Sequence, residues 1–455
     1  MEAEIKEFYI ILKNPSQIYL NDDSNLINGT RILYGLTSEI NTIKMIWNYP
    51  FSDCSAMFYG LYNISEIDLS NFDSSKVTKM SEMFANCFSL EYIDFTNFDT
   101  SSVVDFQSMF YCCNNLKSLD LRNFNTSSVT TMYQMFFGWQ SLESLDLSSF
   151  STSSVTNMHQ VFFQCFNLKS LDLSNFDTSS VTTMLQMFYG CEVLESLNIS
   201  NFNTANVTNM YQMFGDCFKL SSLDVSSFNT SSVTTMLQIF HQCGSLKSLN
   251  LINFDISKLN STYQMFYGCC SLEILDVNGF DTFSIGNIEI MFANCWSLKS
   301  LDLSSFNTSK AISVTEIFHG CSSLEKLDVS SFDTFSIENM GNMFTGCSSL
   351  KTLNLSNFDT SKVKYIDNMF NDCNSLEILD ISNFNTSSAL NANHMFFNCH
   401  NLKSIDISHF NTAKIDNMNG MFSNCYSLEY LELGNLDTSS VTNMSHMFSN
   451  CCNLK

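Results

Sequence analysis

Cysteine recurs at a fixed interval along the chain, and thiols can act as nucleophiles, metal ligands or disulfide partners. Fourteen cysteines are separated by this interval or a multiple of it, from Cys87 and Cys113 to Cys451, and Trp139 is the one substitution in the series. We interpret the series as buried thiols for two reasons. The cysteines continue the apolar face of a predicted short helix, and an unpaired Cys behaves as a small buried hydrophobic residue. Side chains in register also point parallel to one another and not toward one another, which disfavours a disulfide. Three further cysteines adjoin the series without the spacing of a zinc site: Cys112, Cys270 and Cys452.

A second series is acidic. Fifteen positions with the same interval, from Asp68 to Glu432, hold eleven Asp, three Asn and one Glu. Carboxylates stacked about 5 Å apart repel one another, so their charge must be offset. Either the series binds divalent cations or a basic ligand, or it hydrogen-bonds to the outward serines beside it, such as Ser118, Ser144 and Ser170. We favour the second, structural interpretation, and no loop has the spacing of a calcium site.

No residue stands apart as a catalytic centre. Each Ser and Asp has many equivalents in other copies of the pattern, and the seven His are scattered without a Ser/His/Asp or paired-carboxylate arrangement. No glycine-rich phosphate loop is present in the sequence. We therefore predict a protein that is not an enzyme, with no catalytic residue, no cofactor and no metal site.

Both series belong to one 26-residue repeat. Phe occupies the same place of every copy at sixteen positions, from Phe58, Phe84 and Phe110 to Phe448, without insertion or deletion, and such self-similarity is typical of a solenoid. In the copy that spans Leu116–Trp139, alternation around Leu119 and Leu121 predicts a short strand.

The rest of each copy is predicted to turn and then form a helix. The segment Asn125-Thr126-Ser127-Ser128 predicts a turn and a helix-capping cluster. Val129, Met132, Met135 and Phe136 then follow with the spacing of one helix face. A helix this short depends on stacking, and part of it could be 3₁₀ or irregular.

The predicted fold class is an α/β repeat solenoid, a leucine-rich-repeat-like curved stack with a concave parallel β-sheet and short helices or irregular turns on the convex side. Strands about 4.8 Å apart and helices about 8–10 Å apart would bend the stack. Residues 54–455 hold about fifteen repeats. Residues 1–53, which include Pro15 and Pro50, do not fit the repeat and are predicted to form an N-terminal cap and an atypical first segment.

The C-terminal end shows no cap in the sequence. The chain stops at Lys455, three residues into what would be the next strand. Either the natural protein is longer, or the last repeat leaves an edge that favours end-to-end self-association.

The charge of the chain excludes some partners. The net charge is −24 and the pI is near 4.4. This argues against nucleic acid and anionic membranes, which need Lys and Arg to neutralise phosphate. No apolar run reaches the roughly 18 residues of a membrane span, and the start, Met1-Glu2-Ala3-Glu4, lacks the basic residues of a signal peptide.

The repeat resembles a known family. The segment Leu171–Thr182, Leu-Asp-Leu-Ser-Asn-Phe-Asp-Thr-Ser-Ser-Val-Thr, and the recurring Met-Phe-x-x-Cys are similar to the 26-residue repeat of BspA-like leucine-rich-repeat surface proteins. The resemblance covers about residues 54–455. It implies a secreted or surface-displayed protein that acts in adhesion or in binding to a host or matrix. An export signal, a wall anchor and a membrane span are not visible, so we expect either the cell surface or secretion, with the cytoplasm as the alternative.

A charge alternation accompanies the strands. The residue after the first Leu of each repeat alternates between Glu and Lys, as in Glu143 and Lys169, and the phase changes at Ser221. Opposite charges on adjacent strands attract by a few tenths of a kcal/mol, in the range of about 0.2–1 kcal/mol. We infer that the chain grew by duplication of pairs of repeats.

Departures from the consensus mark candidate binding residues. Six outward positions of the strand segment break the Ser-x-Asp-x-Ser pattern and are predicted ligand contacts: Tyr92, Arg122, Ile274, Lys326, Ile378 and Tyr430.

A second candidate is an aromatic and amide stripe on the predicted helix. It either forms an interface or fills gaps between neighbouring helices. Its members are Tyr133, Gln134, Gln160, Gln186, Tyr211, Gln212, Gln238, Tyr263 and Gln264.

Two functions follow from these patterns. The first is a surface or secreted adhesion protein whose solenoid binds a protein or glycan ligand. The second is an intracellular leucine-rich-repeat scaffold or regulatory interaction protein, which the many thiols would suit in a reducing compartment.

Overall fold

The computed structural model describes residues 7–8, 16–20, 32–33, 43–434 and 436–455. These residues form short strands, turns and bends, and no helix lies among them. The chain divides into two compact units, Met1–Asn203 and Thr204–Lys455. Within each unit, every 26-residue repeat makes one coil of a parallel β-solenoid, as the register of its strands shows.

Four strands precede the repeats and pair antiparallel, β1 with β3 and β2 with β4. Trp47, which follows the last of them, packs edge-on against Phe51 and Phe72 of the first coil, with ring centroids 5.8 and 5.9 Å away. Most of the predicted cap, including Pro15, lies outside the described residues, so the capping role stays a prediction. The four strands are β1 (Glu7–Phe8), β2 (Gln17–Leu20), β3 (Ile32–Leu33) and β4 (Ile43–Ile46).

The repeats contribute short strands that pair in parallel with a register of one repeat. Glu66 lies opposite Tyr92, for example, and Thr352 lies opposite Ile378. The strands are β5 (Glu66–Asp68), β6 (Tyr92–Asp94), β7 (Ser170–Asp172), β8 (Ser196–Asn198), β9 (Ser248–Asn250), β10 (Ile274–Asp276), β11 (Ser300–Leu301), β12 (Lys326–Leu327), β13 (Thr352–Asn354), β14 (Ile378–Asp380), β15 (Ser404–Asp406) and β16 (Tyr430–Glu432).

The opposite side of each coil is not helical, so the predicted short helices are wrong and the irregular turns are confirmed. The backbone N–H of Gln134 donates to His159 O at 3.0 Å, and that of Phe136 donates to Val161 O at 3.0 Å. These N–H groups therefore bond to the next coil, not to the carbonyl four residues earlier as in a helix. Gln134 also has a φ of 54°, in the left-handed region that interrupts a helix. The spacing of three between Met132 and Met135 arises from a turn, in which Met135 N–H donates to Met132 O.

The curvature predicted from the sequence depended on helices that pack more widely than strands, and the described repeats contain no helix. Backbone bonds join consecutive coils on both sides within each unit, through the strands and through parallel bridges such as Thr131 with Asn157. The wider helix spacing that predicted a bend is therefore not present in these coils.

Phenylalanine forms the axis of the core. From Phe58 to Phe422 the recurring Phe side chains are almost fully buried, whereas Phe448 of the last coil is 39% exposed. Within each unit they stack from coil to coil, with centroids 5.5 Å apart for Phe58 and Phe84 and 5.7 Å apart for Phe318 and Phe344. Leu, Val and Met side chains pack around this column. Burying one such side chain stabilises the fold by about 1.5–3 kcal/mol.

A threonine ladder crosses the interior where a helix cap was predicted. Thr126 is 1% exposed. Its Oγ1 donates to Ser151 O and accepts the Ser151 N–H, each at 2.8 Å. The hydroxyl thus bonds to the next coil rather than capping a helix. Equivalent bonds to a carbonyl of the next coil are made by Thr100, Thr152, Thr178, Thr204, Thr230, Thr282, Thr308, Thr334, Thr360, Thr386 and Thr412.

Replacing Thr126 with Val should therefore destabilise the solenoid. The methyl group fills the same volume but leaves the N–H and C=O of Ser151 without the bonds that Thr126 makes. We expect the free energy of unfolding to fall by about 2–4 kcal/mol, measured by urea unfolding followed by circular dichroism. Thr130→Val is the matched control, because Thr130 is exposed and Val104 stands at the same place one coil earlier. Equal losses for both variants would contradict the role of the ladder.

Candidate functional site

The cysteine ladder lies inside the coils. Cys165 is fully buried and its Sγ donates to Phe136 O at 3.2 Å, 29 residues earlier. The same bond is made at Cys87, where Sγ donates to Phe58 O, and at Cys321, where Sγ donates to Phe292 O. No disulfide is found within the described range, which contains all eighteen cysteines. The prediction of buried thiols fits this placement, and the hydrogen bond adds a reason for the residue type.

The one substitution in the ladder keeps the hydrogen bond. Trp139 is fully buried, and its indole Nε1–H donates to Phe110 O at 2.5 Å. The position therefore requires a side-chain donor for a buried carbonyl, and both a thiol and an indole supply one. Burial raises the pKa of Cys87 to about 11 and that of Cys321 to about 12. Such thiols stay protonated at neutral pH and are poor nucleophiles or metal ligands.

The aspartate ladder follows the strands, and its carboxylates bond to their own chain. Asp68 Oδ1 accepts the backbone N–H of Ser70 at 2.8 Å, and Asp172 Oδ1 accepts that of Ser174 at 2.9 Å. The partner is thus the residue two places after each Asp, and not the preceding serine that the sequence suggested. This geometry supports the structural interpretation of the ladder.

These hydrogen bonds shift the acidity of the ladder. Bonds from the side chain and backbone of Ser70 lower the pKa of Asp68, and bonds from Ser148 do the same for Asp146. Asp120 is bound by the Arg122 side chain, whose NH2 group lies 2.6 Å from Oδ2, and its pKa falls to about 2. Each charge is therefore offset locally, which explains how carboxylates can recur on neighbouring coils.

The charge alternation forms ion pairs between consecutive coils. Lys169 Nζ lies 2.8 Å from Glu143 Oε2, and Lys403 Nζ lies 3.3 Å from Glu377 Oε2. Both pairs are exposed, so each contributes about 0–1 kcal/mol. Their main effect is on which coils lie side by side, because placing a coil against the second coil after it would bring like charges together.

The predicted strand-face contacts are exposed. In unit 1, Tyr92 is 53% exposed on β6, and Arg122 is held by its bond to Asp120. In unit 2 the candidates occupy the first residue of every second strand, with the small residues Ser300, Thr352 and Ser404 between them. We call this set the strand-face row; its members are Ile274, Lys326, Ile378 and Tyr430.

The strand-face row has a regular spacing. Neighbouring members lie on alternate coils, which corresponds to about 9.6 Å at the usual strand separation. Ile274 and Ile378 expose 67% and 68% of their surface, and Tyr430 exposes 59%. The row therefore presents apolar groups to solvent on a hydrogen-bonded backbone.

The glutamines of the predicted stripe bond to one another. Gln134 Nε2 donates to Gln160 Oε1 at 2.7 Å, and Gln160 Nε2 donates to Gln186 Oε1 at 2.7 Å. In unit 2, Gln212 donates to Gln238 at 2.8 Å, and Gln238 donates to Gln264. The side chains are half-buried, so much of their hydrogen-bonding capacity is used within the solenoid.

The aromatic members of the stripe are half-buried as well. Tyr133 packs against His159 with ring centroids 5.0 Å apart. Tyr211 and Tyr263 are also half-buried, in unit 2. Beside Tyr133, a column that includes Phe137 and Phe163 stacks at 4.5 Å. These contacts cover ring faces, as expected if the aromatic side chains fill the space between coils.

Among the described residues, no group of three or more His, Cys, Asp and Glu is placed to hold a metal ion. The same part of the chain contains no helix that is long and apolar enough to cross a membrane. His241 Nε2 lies 3.8 Å from Asp216 Oδ1, beyond hydrogen-bond range, and burial lowers the pKa of His241.

Acid should weaken the fold through the aspartate ladder. The folded pKa of residues such as Asp68 and Asp120 lies below the unfolded value of about 4. Their contribution to stability is therefore present above pH 4 or so and is lost as the pH falls through the folded pKa. We expect the urea midpoint to decrease as the pH is lowered from about 5 to about 2.

The matched variant for this test is supplied by the chain itself. Asn198 stands in the ladder one coil after Asp172 and accepts the Ser200 N–H. Changing Asp146, Asp172 and Asp224 to Asn should keep the turns and reduce the acid dependence of the urea midpoint in part, because eight of the eleven ladder aspartates remain. An unchanged pH profile in this triple variant would show that other groups cause the acid sensitivity.

Comparison with solved structures returned leucine-rich proteins from bacteria. A leucine-rich repeat protein from Bacteroides ovatus is 19% identical, over 88% of this chain and 80% of that chain, with a TM-score of 0.37. A leucine rich cell surface protein from Faecalibacterium prausnitzii is 18% identical, over 72% and 82%, with a TM-score of 0.36. A leucine-rich repeat protein from Eubacterium ventriosum is 16% identical, over 87% and 78%, with a TM-score of 0.28.

No curated protein matches the chain significantly. One family model matches it repeatedly, over residues 52–171, 160–274, 195–299, 263–378 and 347–455. These segments overlap and include all of the 26-residue repeats. The chain therefore belongs to the family described as Mycoplasma protein of unknown function, DUF285.

Proposed function

We propose that this chain is a non-enzymatic scaffold that binds another protein through the strand face, and that it is a BspA-like adhesion protein of the cell surface or of the secreted fraction. The strand-face row carries the proposal. Its Ile and Tyr side chains expose more than half of their surface, whereas eight of the fifteen equivalent positions are serine.

The backbone beneath the row is well suited to binding. Thr352 and Ile378, for example, are opposite one another in a parallel ladder, so the side chains project from a fixed spacing. A preorganised surface loses little conformational freedom when it binds a partner. Apolar anchors separated by small polar residues would admit the side chains of a partner between them.

The acidic ladder beside the row adds selectivity. Asp276 and Asp380 lie two residues after Ile274 and Ile378 on the same strands. Their carboxylates would repel acidic partners and favour a protein with basic groups beside its apolar contacts. Lys326 and the ladder thus define a mixed surface, with apolar anchors in a mostly negative setting.

Removing two anchors should weaken binding. We expect beads coated with the Ile274→Ser, Ile378→Ser variant to be retained about tenfold less than wild type on whichever extracellular-matrix protein or host cell binds wild type. Serine is the common residue at this place, so the fold should persist. Val104→Thr is the control, because Val104 is 39% exposed away from the strand face and threonine is common at its position. Equal retention of the double variant and wild type would refute the role of the row.

The compartment is tested separately. Intact cells treated with a non-permeant protease should lose the full-length protein if it is displayed at the surface. Retention of the intact chain, together with its absence from the medium, would favour the intracellular scaffold. That alternative is supported by the cysteine ladder, whose thiols donate hydrogen bonds only in the reduced form.

A further inference from the structure

A corner of unit 2, away from the strand face, carries a second regular pattern. Four exposed lysines occupy the same position of alternate coils: Lys258, Lys310, Lys362 and Lys414. The residue before this position is normally Ser, but two of the intervening coils have Phe283 and Phe335 there. We call these six residues the Phe-Lys corner.

The local structure explains why these residues project outward. Thr308 O accepts the N–H of Ala311 at 2.9 Å, which closes a four-residue turn with Ser309 and Lys310 at its centre. Both ends of the turn are buried, and Thr308 Oγ1 donates to Asp333 O of the next coil. The central residues therefore have no place in the core, and they point to solvent from a fixed position.

The spacing of the corner is set by backbone bonds. Just after the turns, the N–H of Glu338 donates to Ile312 O, and that of Lys364 donates to Glu338 O, each at 2.8 Å. Consecutive coils are thus at strand separation, and lysines on alternate coils are about 9.6 Å apart. The four lysines span three such intervals.

The corner combines exposed apolar surface with cations. Phe283 and Phe335 are 52% and 55% exposed. Lys310 Nζ lies 4.5 Å from the ring centroid of Phe283, and Lys362 Nζ lies 3.7 Å from that of Phe335. Ile312, 65% exposed, extends the apolar surface on the coil between them.

The corner lysines are available to an anionic partner. In the described part of the chain, none of the four lies within ion-pair distance of a carboxylate. Asp255 and Asp359 interact with Lys258 and Lys362 only at longer range. Their Oδ1 atoms accept the backbone N–H of Ser257 and Ser361. Nearby Asp281 and Asp333 direct Oδ1 to the backbone N–H of Phe283 and Phe335, at 3.0 and 3.1 Å. This is unlike the Glu–Lys pairs of the strand edge, such as Glu377 with Lys403.

From this arrangement we propose that the Phe-Lys corner binds an acidic peptide in the polyproline II conformation, with a carboxylate at every third residue. A polyproline II helix has three residues per turn and rises about 3.1 Å per residue, so every third side chain lies on one face at intervals of about 9.3 Å. This agrees with the lysine interval of about 9.6 Å, and the mismatch over three intervals is only about 1 Å, which lysine side chains can absorb. Same-face residues of an extended strand recur at about 6.6 Å and do not match.

The aromatic rings fit the same partner. Prolines between the acidic residues would pack against Phe283 and Phe335, since aromatic surfaces are the usual contact of polyproline II segments. The peptide is preordered, so little entropy is lost on binding. The proposal rests on the proposed protein-binding function and assigns it a second surface with its own ligand chemistry.

Fluorescence anisotropy with a labelled peptide of several Glu-Pro-Pro repeats tests the proposal on the full chain. We expect saturable binding that weakens as salt is added. Lys310→Gln with Lys362→Gln should raise Kd by about tenfold or more. Phe283→Ser with Phe335→Ser should also weaken binding, and this variant restores the residue that most coils have at that position.

Matched controls separate the corner from general charge. Lys299→Gln with Lys351→Gln makes the same charge change at the strand edge and should leave Kd within about twofold of wild type. Equal weakening by this control, or equal binding of a peptide of the same composition with its glutamates clustered, would overturn the proposal. Binding of an acidic polysaccharide such as alginate in place of the peptide would overturn it as well.

The strand-face variant distinguishes the two proposals. Ile274→Ser with Ile378→Ser should retain full peptide affinity, because these residues lie on a different side of the coil. If the corner binds the peptide while the strand-face variant still adheres normally, the proposed use of the strand face fails and the corner stands. If the peptide does not bind while the strand-face variant loses adhesion, the corner proposal fails alone.

Discussion

The hydrogen bonds between backbones of consecutive coils are the interaction on which the rest of the structure depends. They occur on the strand side, as between Leu171 and Leu197, and on the opposite side, as from Gln134 N–H to His159 O. Because both sides are bonded, neither can shift without breaking the other. A single inserted residue would move every later side chain off its equivalent, which explains why the sixteen Phe positions from Phe58 to Phe448 keep one unbroken interval.

Identical side chains that stack at strand separation bring their polar groups close together or bury them. In each ladder these groups have hydrogen-bond partners nearby. Thr126 bonds to the next coil, Cys165 reaches back to a carbonyl 29 residues earlier, and Asp172 bonds to its own chain. Trp139 shows that the requirement is chemical, because it replaces a thiol with another donor to the same kind of carbonyl. Residues that first suggest catalysis or metal binding are thereby used to satisfy buried or crowded polar groups.

What remains for recognition is the surface where coils differ, and in unit 2 these differences have a period of two coils. The strand-face row and the Phe-Lys corner both place their distinctive residues on alternate coils, as Ile274 and Lys326 do in one and Lys310 and Lys362 do in the other. The ion pairs between Glu and Lys follow the same alternation. A period of about 9.6 Å suits partners whose own groups recur at a similar distance.

The strand predicted at Leu119–Leu121 is absent from the structure, although twelve of the fifteen equivalent segments are strands. The sequence by itself determined the repeat, its length, the strand segment of most repeats, the burial of the thiols and the exposure of residues such as Ile274. These features can be predicted from the periodicity of the sequence alone, because they do not depend on which groups the backbone N–H and C=O bond to. Only the tertiary structure decided that Val129–Phe136 is not a helix, that Thr126 is internal and that Gln134 bonds to Gln160. Spacings of three and four residues occur both in a helix and in successive turns. The choice depends on whether the N–H groups bond within the repeat or to the next coil, a whole repeat away along the chain, and that separation lies beyond any local pattern.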